Sequence, residues 1–143
     1  MKKIVEIKNL RKIFCKGNIC VANSLNLDLI KGEIFTILGT SGSGKTTLLR
    51  VLAGLEEAFG EIIVDDEIWL NEKIKKPIQK RDIGFVFQDY ALFPNLSVID
   101  NLLYVKKDKD LAKQLLSLTD LYELKNRYPN SLSGGQKQRV SLC

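Results

Sequence analysis

The stretch GTSGSGKT, residues 39–46, has the residue types and spacing of a phosphate-binding loop. It fits the pattern G-x-x-x-x-G-K-[ST] without a mismatch, in which glycines let backbone N–H groups surround phosphate oxygens. In this pattern the lysine neutralises the terminal phosphates and the hydroxyl binds Mg²⁺. A plain glycine-rich turn is the alternative, but it would not require the final Lys-Thr. The candidate nucleotide-binding residues here are Gly39, Thr40, Ser41, Gly42, Ser43, Gly44, Lys45, Thr46 and Thr47.

A second anion site is predicted from LSGGQ, residues 132–136. Ser133 is placed to cap the N-terminus of a helix, with Gln136 as its partner in a capping box. Gly134 and Gly135 remove side chains from the start of that helix, so its N–H groups and positive dipole end are open to an anion. An ordinary capping box does not explain two adjacent glycines, because glycine has poor helix propensity.

The elements that must position these residues are predicted from hydrophobic periodicity. Residues 34–38 are almost all apolar, which favours a strand buried on both faces of a parallel sheet directly before the loop. After the loop, Leu48, Val51 and Leu52 recur at helical spacing, and Gly54 is placed to end the helix. Residues 83–87, IGFVF, predict another apolar strand.

The flanking segments complete an α/β pattern. Residues 4–9 and 24–30 alternate like half-buried strands around a turn at Gly17, and residues 60–70 predict a hairpin turning at Asp65 and Asp66. Ser97 is a candidate N-cap with Asp100 in the first turn of its helix. A later helix is predicted to place three leucines on one face, namely Leu111, Leu115 and Leu118.

Composition limits the functional classes. The net charge of +5, from 22 basic and 17 acidic residues, is too small and too scattered to indicate nucleic-acid binding. Neither a transmembrane run nor a secretory signal is recognised, so we expect a protein inside the cell. Three unpaired cysteines and no histidine argue against a zinc site and exclude a histidine-based triad.

The motifs GTSGSGKT, VFQDYALFPNLSVIDNL and LSGGQ, in this order, resemble those of the ATP-binding subunits of ABC transporters. The resemblance implies an α/β fold: a P-loop NTPase core with an N-terminal antiparallel β subdomain and a helical subdomain. The expected boundaries are about 1–98 for the β subdomain and core, about 99–133 for the helical subdomain, and 134–143 for the start of the signature helix. In the family two copies pack head to tail, and each ATP with its Mg²⁺ lies between one phosphate loop and the partner's LSGGQ signature.

The resemblance also implies roles for single residues. Gln88 takes the place of the family's Q-loop glutamine, near Mg²⁺ and the attacking water, and with Lys45 it is a candidate catalytic residue. Ser133, Gly134, Gly135 and Gln136 would contact the γ-phosphate of the partner's ATP. Phe14 falls near the family's adenine-stacking aromatic residue, although it could equally belong to the core. Residues 90–98 would face the transmembrane permease subunits.

Two family features do not occur in this sequence. An apolar strand ending in Asp-Glu should follow the signature helix, and a later loop should supply a histidine. We therefore expect a partial domain in which the C-terminal part of the core is missing. Such a chain would bind ATP weakly and hydrolyse it slowly, because general-base catalysis typically contributes about 10²–10⁴-fold in rate.

The resemblance implies an ATPase subunit that couples ATP hydrolysis to solute import. Its place would be cytoplasmic, peripheral on the inner face of the membrane. The segment QDYALFPNLSVIDNL is most similar to importers of inorganic ions such as molybdate, sulfate or ferric iron. The alternatives are a non-functional truncated remnant and a soluble ABC ATPase acting in DNA repair or translation. The absence of heptads between the loop and the signature disfavours the chromosome-type members of that soluble class.

Overall fold

The computed structural model describes residues 2–14 and 19–143, with all their side chains except those of residues 14 and 19–22. In this part of the chain β1 (Lys3–Phe14), β2 (Ile19–Ile30), β3 (Phe59–Val64) and β4 (Glu67–Leu70) form one antiparallel sheet in the order β2-β1-β3-β4. The two strands predicted at residues 4–9 and 24–30 are confirmed, and both are longer than predicted. The turn predicted at Gly17 lies outside the described residues.

The β3–β4 hairpin turns where the sequence predicted it. Asp65 and Asp66 have φ angles of 46° and 66°. Left-handed values at both central residues are typical of a type I′ turn, whose twist matches that of the flanking strands. The hairpin therefore places the two aspartates in a surface turn.

Four α-helices lie in the described residues: α1 (Lys45–Ala53), α2 (Val98–Val105), α3 (Lys109–Leu118) and α4 (Gly134–Leu142). Short 3₁₀ turns occupy Ile78–Lys80, Tyr122–Leu124 and Pro129–Ser131. The predicted cap of α2 is confirmed, because Ser97 Oγ accepts a hydrogen bond of 3.2 Å from the Asp100 N–H. None of the described helices has the length and apolar character needed to cross a bilayer.

The chain divides into two compact units, Met1–Ile83 and Gly84–Cys143. The predicted boundary near residue 98 falls inside the second unit. The first unit packs α1 against the sheet through a core of Ile7, Leu10, Val51, Ile62, Trp69 and Leu70. The second unit is helical, with a core of Val98, Leu116, Leu121, Leu132 and Val140.

The two apolar strands predicted at residues 34–38 and 83–87 are wrong. Neither segment is a strand, and Ile34 and Leu38 are 97% and 87% exposed. A strand requires a hydrogen-bonded neighbour, and a parallel strand also requires cover on both faces. No strand among the described residues pairs with either segment. The apolar composition of the two segments was therefore not sufficient to predict strands.

The buried face of α3 also differs from the prediction. Leu118 is 81% exposed, whereas Leu116 is completely buried, together with Ala112. The prediction followed one leucine row along the helix, but the neighbouring row at spacing i, i+4 contacts the core of the second unit. A helix with leucines on two adjacent rows requires its tertiary neighbours to select between them.

Helix α1 ends at Gly54, as predicted, in a left-handed conformation with φ of 80°. The Gly54 N–H donates to the Val51 carbonyl, and the Leu55 N–H donates to the Arg50 carbonyl. These two hydrogen bonds close the last turn of the helix. The Arg81 guanidinium fills the space beside Gly54: a Cβ built at Gly54 would lie 2.8 Å from Arg81 Cζ. Glycine is therefore required at this position both for its φ angle and for its lack of a side chain.

We expect Gly54→Ala to lower the free energy of unfolding of the first unit by about 2 kcal/mol, because strain at positive φ adds to displacement of the guanidinium. Urea unfolding followed by Trp69 fluorescence measures this effect. Gly32→Ala is the matched control, since Gly32 has φ of 87° but a Cβ added there would meet nothing within 4 Å. Equal losses for the two variants would contradict a role for the Arg81 contact.

Candidate nucleotide-binding site

The phosphate loop (residues 39–46) depends on two glycines in the left-handed region. Gly42 and Gly44 have φ angles of 80° and 89°, values that side-chain-bearing residues rarely adopt. Between them the Ser43 N–H bonds to the Thr40 carbonyl over 3.2 Å and closes a turn. At Gly39 a Cβ would lie 2.7 Å from Ser43 Oγ, so a side chain there would displace the Ser43 hydroxyl. The loop thus runs directly into the first residue of α1.

The N-terminus of α1 differs from those of the other described α-helices. Side chains of Ser97, Asp108 and Ser133 cap α2, α3 and α4, whereas no side chain caps α1. The first turn of α1 also contains no acidic residue. Its first N–H groups therefore have neither an intrahelical acceptor nor a side-chain acceptor, and the positive end of the helix dipole is not neutralised. This arrangement suits a phosphate group.

Lys45 folds back over the loop. Its Nζ donates hydrogen bonds to the carbonyl oxygens of Gly39, at 2.8 Å, and Thr40, at 2.7 Å. Ser43 Oγ lies 3.3 Å from the same nitrogen. The ammonium group is thereby held at the loop where phosphate oxygens would be bound, and hydrogen bonds between an ammonium and a phosphate are strong.

Thr46 fits the predicted role as a Mg²⁺ ligand. It is exposed in the first turn of α1, and within the described residues its hydroxyl makes no hydrogen bond. The described part of the chain includes no group of three or more His, Cys, Asp or Glu side chains that could hold a metal. Mg²⁺ commonly binds one or two protein oxygens together with nucleotide phosphates and water, so a single hydroxyl beside the loop suits a nucleotide-bound ion.

A cavity of about 600 Å³ lies beside the phosphate loop. Residues of the loop and of α1, including Val51, line it together with the apolar side chains of Leu10 and Leu25 from the sheet. Cavities of this size accommodate small organic ligands. Polar residues of β1 and β2 also line the cavity, namely Lys12, Asn23, Ser24 and Asn26.

The predicted capping box at the signature is confirmed. Ser133 Oγ accepts a 3.3 Å hydrogen bond from the Gln136 N–H, and Gln136 Oε1 accepts one of 2.9 Å from the Ser133 N–H. Ser133, Gly134 and Gly135 are all exposed, and nothing lies within 4 Å of a Cβ built at Gly135. The start of α4 is therefore preformed and open to a second molecule.

We expect Ser133→Ala to destabilise the second unit by about 1 kcal/mol through loss of this cap. Thermal unfolding followed by circular dichroism at 222 nm measures the loss. Ser133→Asp keeps a capping oxygen and should retain near-normal stability, and Gln138→Ala is an exposed control in α4. A Ser133→Ala variant as stable as the wild type would contradict the contribution of the cap.

The predicted site residues are distributed over both units. The phosphate loop and Thr47 lie in the first unit, and Gln88 lies in the second, as do Ser133, Gly134, Gly135 and Gln136. Gln88 is exposed in a turn, and no hydrogen bond of its side chain occurs in the described part of the chain. The side chain of Phe14 lies outside the described residues, so its stacking role stays a prediction.

Two buried polar residues were missed by the sequence reasoning. Arg81 is 7% exposed and contacts the end of α1, and Asn101 is 6% exposed and contacts the segment before α2. Asn101 precedes two leucines in IDNLL, which was the available signal, whereas Arg81 lies between the charged residues Lys80 and Asp82. Surface positions are the default for arginine and asparagine, so that signal was weak.

Comparison with known proteins agrees with this geometry. The family model described as ABC transporter matches residues 22–143. The chain is similar to the spermidine/putrescine import ATP-binding protein PotA of Bacillus anthracis, with 43% identity over 100% of this chain and 45% of the relative. It is also similar to a sulfate/thiosulfate import ATP-binding protein of Rhizobium meliloti, with 43% identity over 97% of this chain and 40% of the relative. The chain thus spans less than half the length of these curated relatives.

Among solved structures, the chain resembles an ATP-binding cassette in a dimeric post-hydrolysis state bound to ADP and Pi. The TM-score is 0.81 at 32% identity, over 97% of this chain and 67% of the other. The predicted α/β fold class, with an N-terminal antiparallel sheet and helices, is confirmed as that of an ATP-binding cassette. The chain belongs to the ABC transporter family.

Proposed function

We propose that this chain is the ATP-binding subunit, or part of it, of an ABC importer. The observation that carries the proposal is the uncapped N-terminus of α1 behind a loop that holds the Lys45 ammonium. The loop and Lys45 would bind the phosphates of ATP, with the nucleoside in the adjoining cavity. Thr46 would hold Mg²⁺, which lowers the negative charge on the phosphates when it is bound. For Gln88 a role toward Mg²⁺ is proposed from the family resemblance alone.

The second part of the proposal is a head-to-tail pair of ATP-binding subunits. The exposed start of α4 provides hydrogen-bond donors for the γ-phosphate bound by the partner subunit. The similar solved cassette is dimeric, which supports this arrangement. In the proposed head-to-tail pair, the nucleotide of one subunit is contacted by four residues of the other, namely Ser133, Gly134, Gly135 and Gln136.

Permease subunits in the membrane are the proposed larger partners, with this subunit on their cytoplasmic face. Both relatives are named import ATP-binding proteins, which supports import over export. Phe93 and Tyr104, with ring centroids 4.5 Å apart, form an exposed aromatic pair at the segment proposed for coupling, residues 90–98. No nucleic-acid partner is proposed, given the modest net charge of +5.

An inorganic ion remains our proposal for the transported solute. The relative named for sulfate and thiosulfate supports it, while the equally similar relative is named for polyamines. These solutes have opposite charges, so similarity in the ATP-binding subunit does not distinguish them. The solute would be selected by the permease and its binding protein.

We further propose that this chain alone hydrolyses ATP slowly. Residues 34–38 enter the phosphate loop directly, and they lack a sheet neighbour among the described residues. A loop without a rigid strand behind it holds its N–H groups less firmly in the geometry that phosphoryl transfer requires. Lys45 and Gln88 are the proposed catalytic residues present in the chain.

Titration calorimetry of the purified chain with ATP, in Mg²⁺ and then in EDTA, tests the proposal. We expect saturable binding at one site that weakens when Mg²⁺ is removed. Absence of ATP binding by a folded chain would overturn the proposal. Co-purification with a coexpressed ABC permease separates a transport subunit from a soluble ABC ATPase.

A further inference from the structure

Arg81 has an unusual environment for an arginine. Its side chain is buried in the first unit, and no carboxylate pairs with it in the described part of the chain. Backbone carbonyls take the place of an anion: Nη1 donates to the carbonyls of Val51, at 3.0 Å, and Leu52, at 2.6 Å. Burial lowers the pKa of Arg81 from its ordinary value, as expected for a charge removed from water.

The Val51 and Leu52 carbonyls both belong to the last turn of α1, at the opposite end of the helix from Lys45. The last carbonyls of a helix have no intrahelical donor, and the helix dipole makes that end negative. The Val51 carbonyl also accepts from the Gly54 N–H, so the guanidinium adds a second donor there. At Leu52 it supplies the missing donor, and at both carbonyls it supplies the complementary charge. The helix has only nine residues, so its two ends are separated by about 13 Å of rigid backbone.

Arg81 is itself fixed by contacts from other parts of the unit. Its Nε donates to the Lys76 carbonyl over 3.1 Å, and its Cζ lies 5.4 Å from the centroid of the Trp69 ring. Gly54 leaves the space in which the guanidinium lies. Trp69 on β4 is itself buried in the core of the sheet. The end of α1 is thus connected through one side chain to the sheet.

We infer that Arg81 is a positioning residue of the phosphate site, which holds α1 in the place where its N-terminus and Lys45 meet the phosphates of ATP. The inference rests on the function proposed above. Core contacts such as that of Val51 press the helix onto the sheet, but apolar contacts are not directional. The two hydrogen bonds from Arg81 to the Val51 and Leu52 carbonyls restrain the helix along its axis, which is the direction that matters at its N-terminus.

The test measures ATP affinity by titration calorimetry for the wild-type chain, Arg81→Lys and Arg81→Met. Each protein is measured at a temperature where circular dichroism shows it fully folded. We expect Arg81→Met to weaken MgATP binding about tenfold, because small misplacements of binding groups reduce their interactions steeply. Arg81→Lys, which keeps the charge and can reach some of the carbonyls, should restore part of that affinity.

Ile62→Val is the matched control. It removes one methylene from the same core and lowers stability while keeping Arg81 and its hydrogen-bonding groups. A purely structural role for Arg81 predicts that its variants, like Ile62→Val, unfold at lower temperature but bind ATP normally when folded. Normal ATP binding by folded Arg81→Met or by folded Arg81→Lys would overturn the inference. If Arg81→Met does not fold, the affinity of Arg81→Lys decides: it should be weaker than that of Ile62→Val.

The same experiment separates this inference from the proposed function. If the wild-type chain binds ATP and Lys45→Ala weakens that binding at least about tenfold, the proposed function stands whatever the Arg81 variants do. If the wild-type chain does not bind ATP, the proposed function fails, and the inference fails with it. Amide hydrogen exchange adds a readout independent of ATP. The Leu48 N–H, which bonds to the Gly44 carbonyl in the first turn of α1, should exchange faster in Arg81→Lys than in Ile62→Val.

Discussion

Replacement of Lys45 by alanine should weaken ATP binding by about ten- to a hundredfold, since hydrogen bonds to charged groups contribute about 1.5–3 kcal/mol. In the structure the ammonium lies within 3 Å of two loop carbonyls, so it is already held at the phosphate site. Its removal takes away a full positive charge at the β- and γ-phosphates. Titration calorimetry with MgATP measures the loss directly.

The nucleotide series provides an internal control for the Lys45→Ala variant. AMP lacks the β- and γ-phosphates, so its affinity should change much less than that of ATP. Lys73→Ala is the matched protein control, because Lys73 is an exposed lysine of the same unit outside the loop. Equal losses for ATP and AMP would show that the variant disturbs the loop rather than removing a phosphate contact. Unchanged ATP affinity would contradict the assigned role of Lys45.

Replacement of Asn101 by alanine should lower the free energy of unfolding of the second unit by about 3 kcal/mol, since several hydrogen bonds are lost and buried groups stay unpaired. Asn101 Oδ1 accepts from the Phe93 N–H over 2.8 Å, and Nδ2 donates to the carbonyls of Phe93, Leu96 and Ser97 at 2.9 to 3.2 Å. One buried amide thus holds the whole turn before α2. Chemical unfolding followed by circular dichroism measures the effect.

Asn101→Asp and Asn126→Ala sharpen this prediction. Asn101→Asp keeps the shape of the side chain and removes the donated bonds, so it should be destabilised nearly as much as Asn101→Ala. Asn126 is exposed in a turn of the same unit, and its replacement should change stability by less than about 0.5 kcal/mol. Stability of Asn101→Ala equal to that of Asn126→Ala would contradict the prediction. Because residues 90–98 are the proposed coupling segment, folded Asn101 variants should also co-purify less with a permease.

The features predicted correctly from the sequence are local along the chain. The helix caps at Ser97 and Ser133 and the turn at Asp65–Asp66 join groups no more than about four residues apart. The left-handed glycines of the phosphate loop follow from the same local geometry. Such features form from short-range hydrogen bonds and φ preferences, which residue types express directly.

The features predicted wrongly require partners distant in the chain. Apolar composition at residues 34–38 and 83–87 indicated strands, but whether a segment pairs depends on neighbours that its own residues do not encode. Which row of α3 is buried likewise depends on where the core of the second unit lies relative to the helix. Leu116 contacts that core, whereas Leu118 is exposed. Both errors treated hydrophobicity as evidence of a specific contact.

By itself the sequence determined the chemistry of this protein: a phosphate loop with Lys45 and Thr46, a capped and glycine-opened helix at Ser133, and their order along an ABC transporter chain. Only the tertiary structure decided what holds these parts in place. Arg81 meets carbonyls about 30 positions earlier in the chain, and Asn101 meets a loop that precedes its helix. A buried polar side chain is stable only where folding brings it unpaired backbone groups, and no local pattern shows where those groups will be.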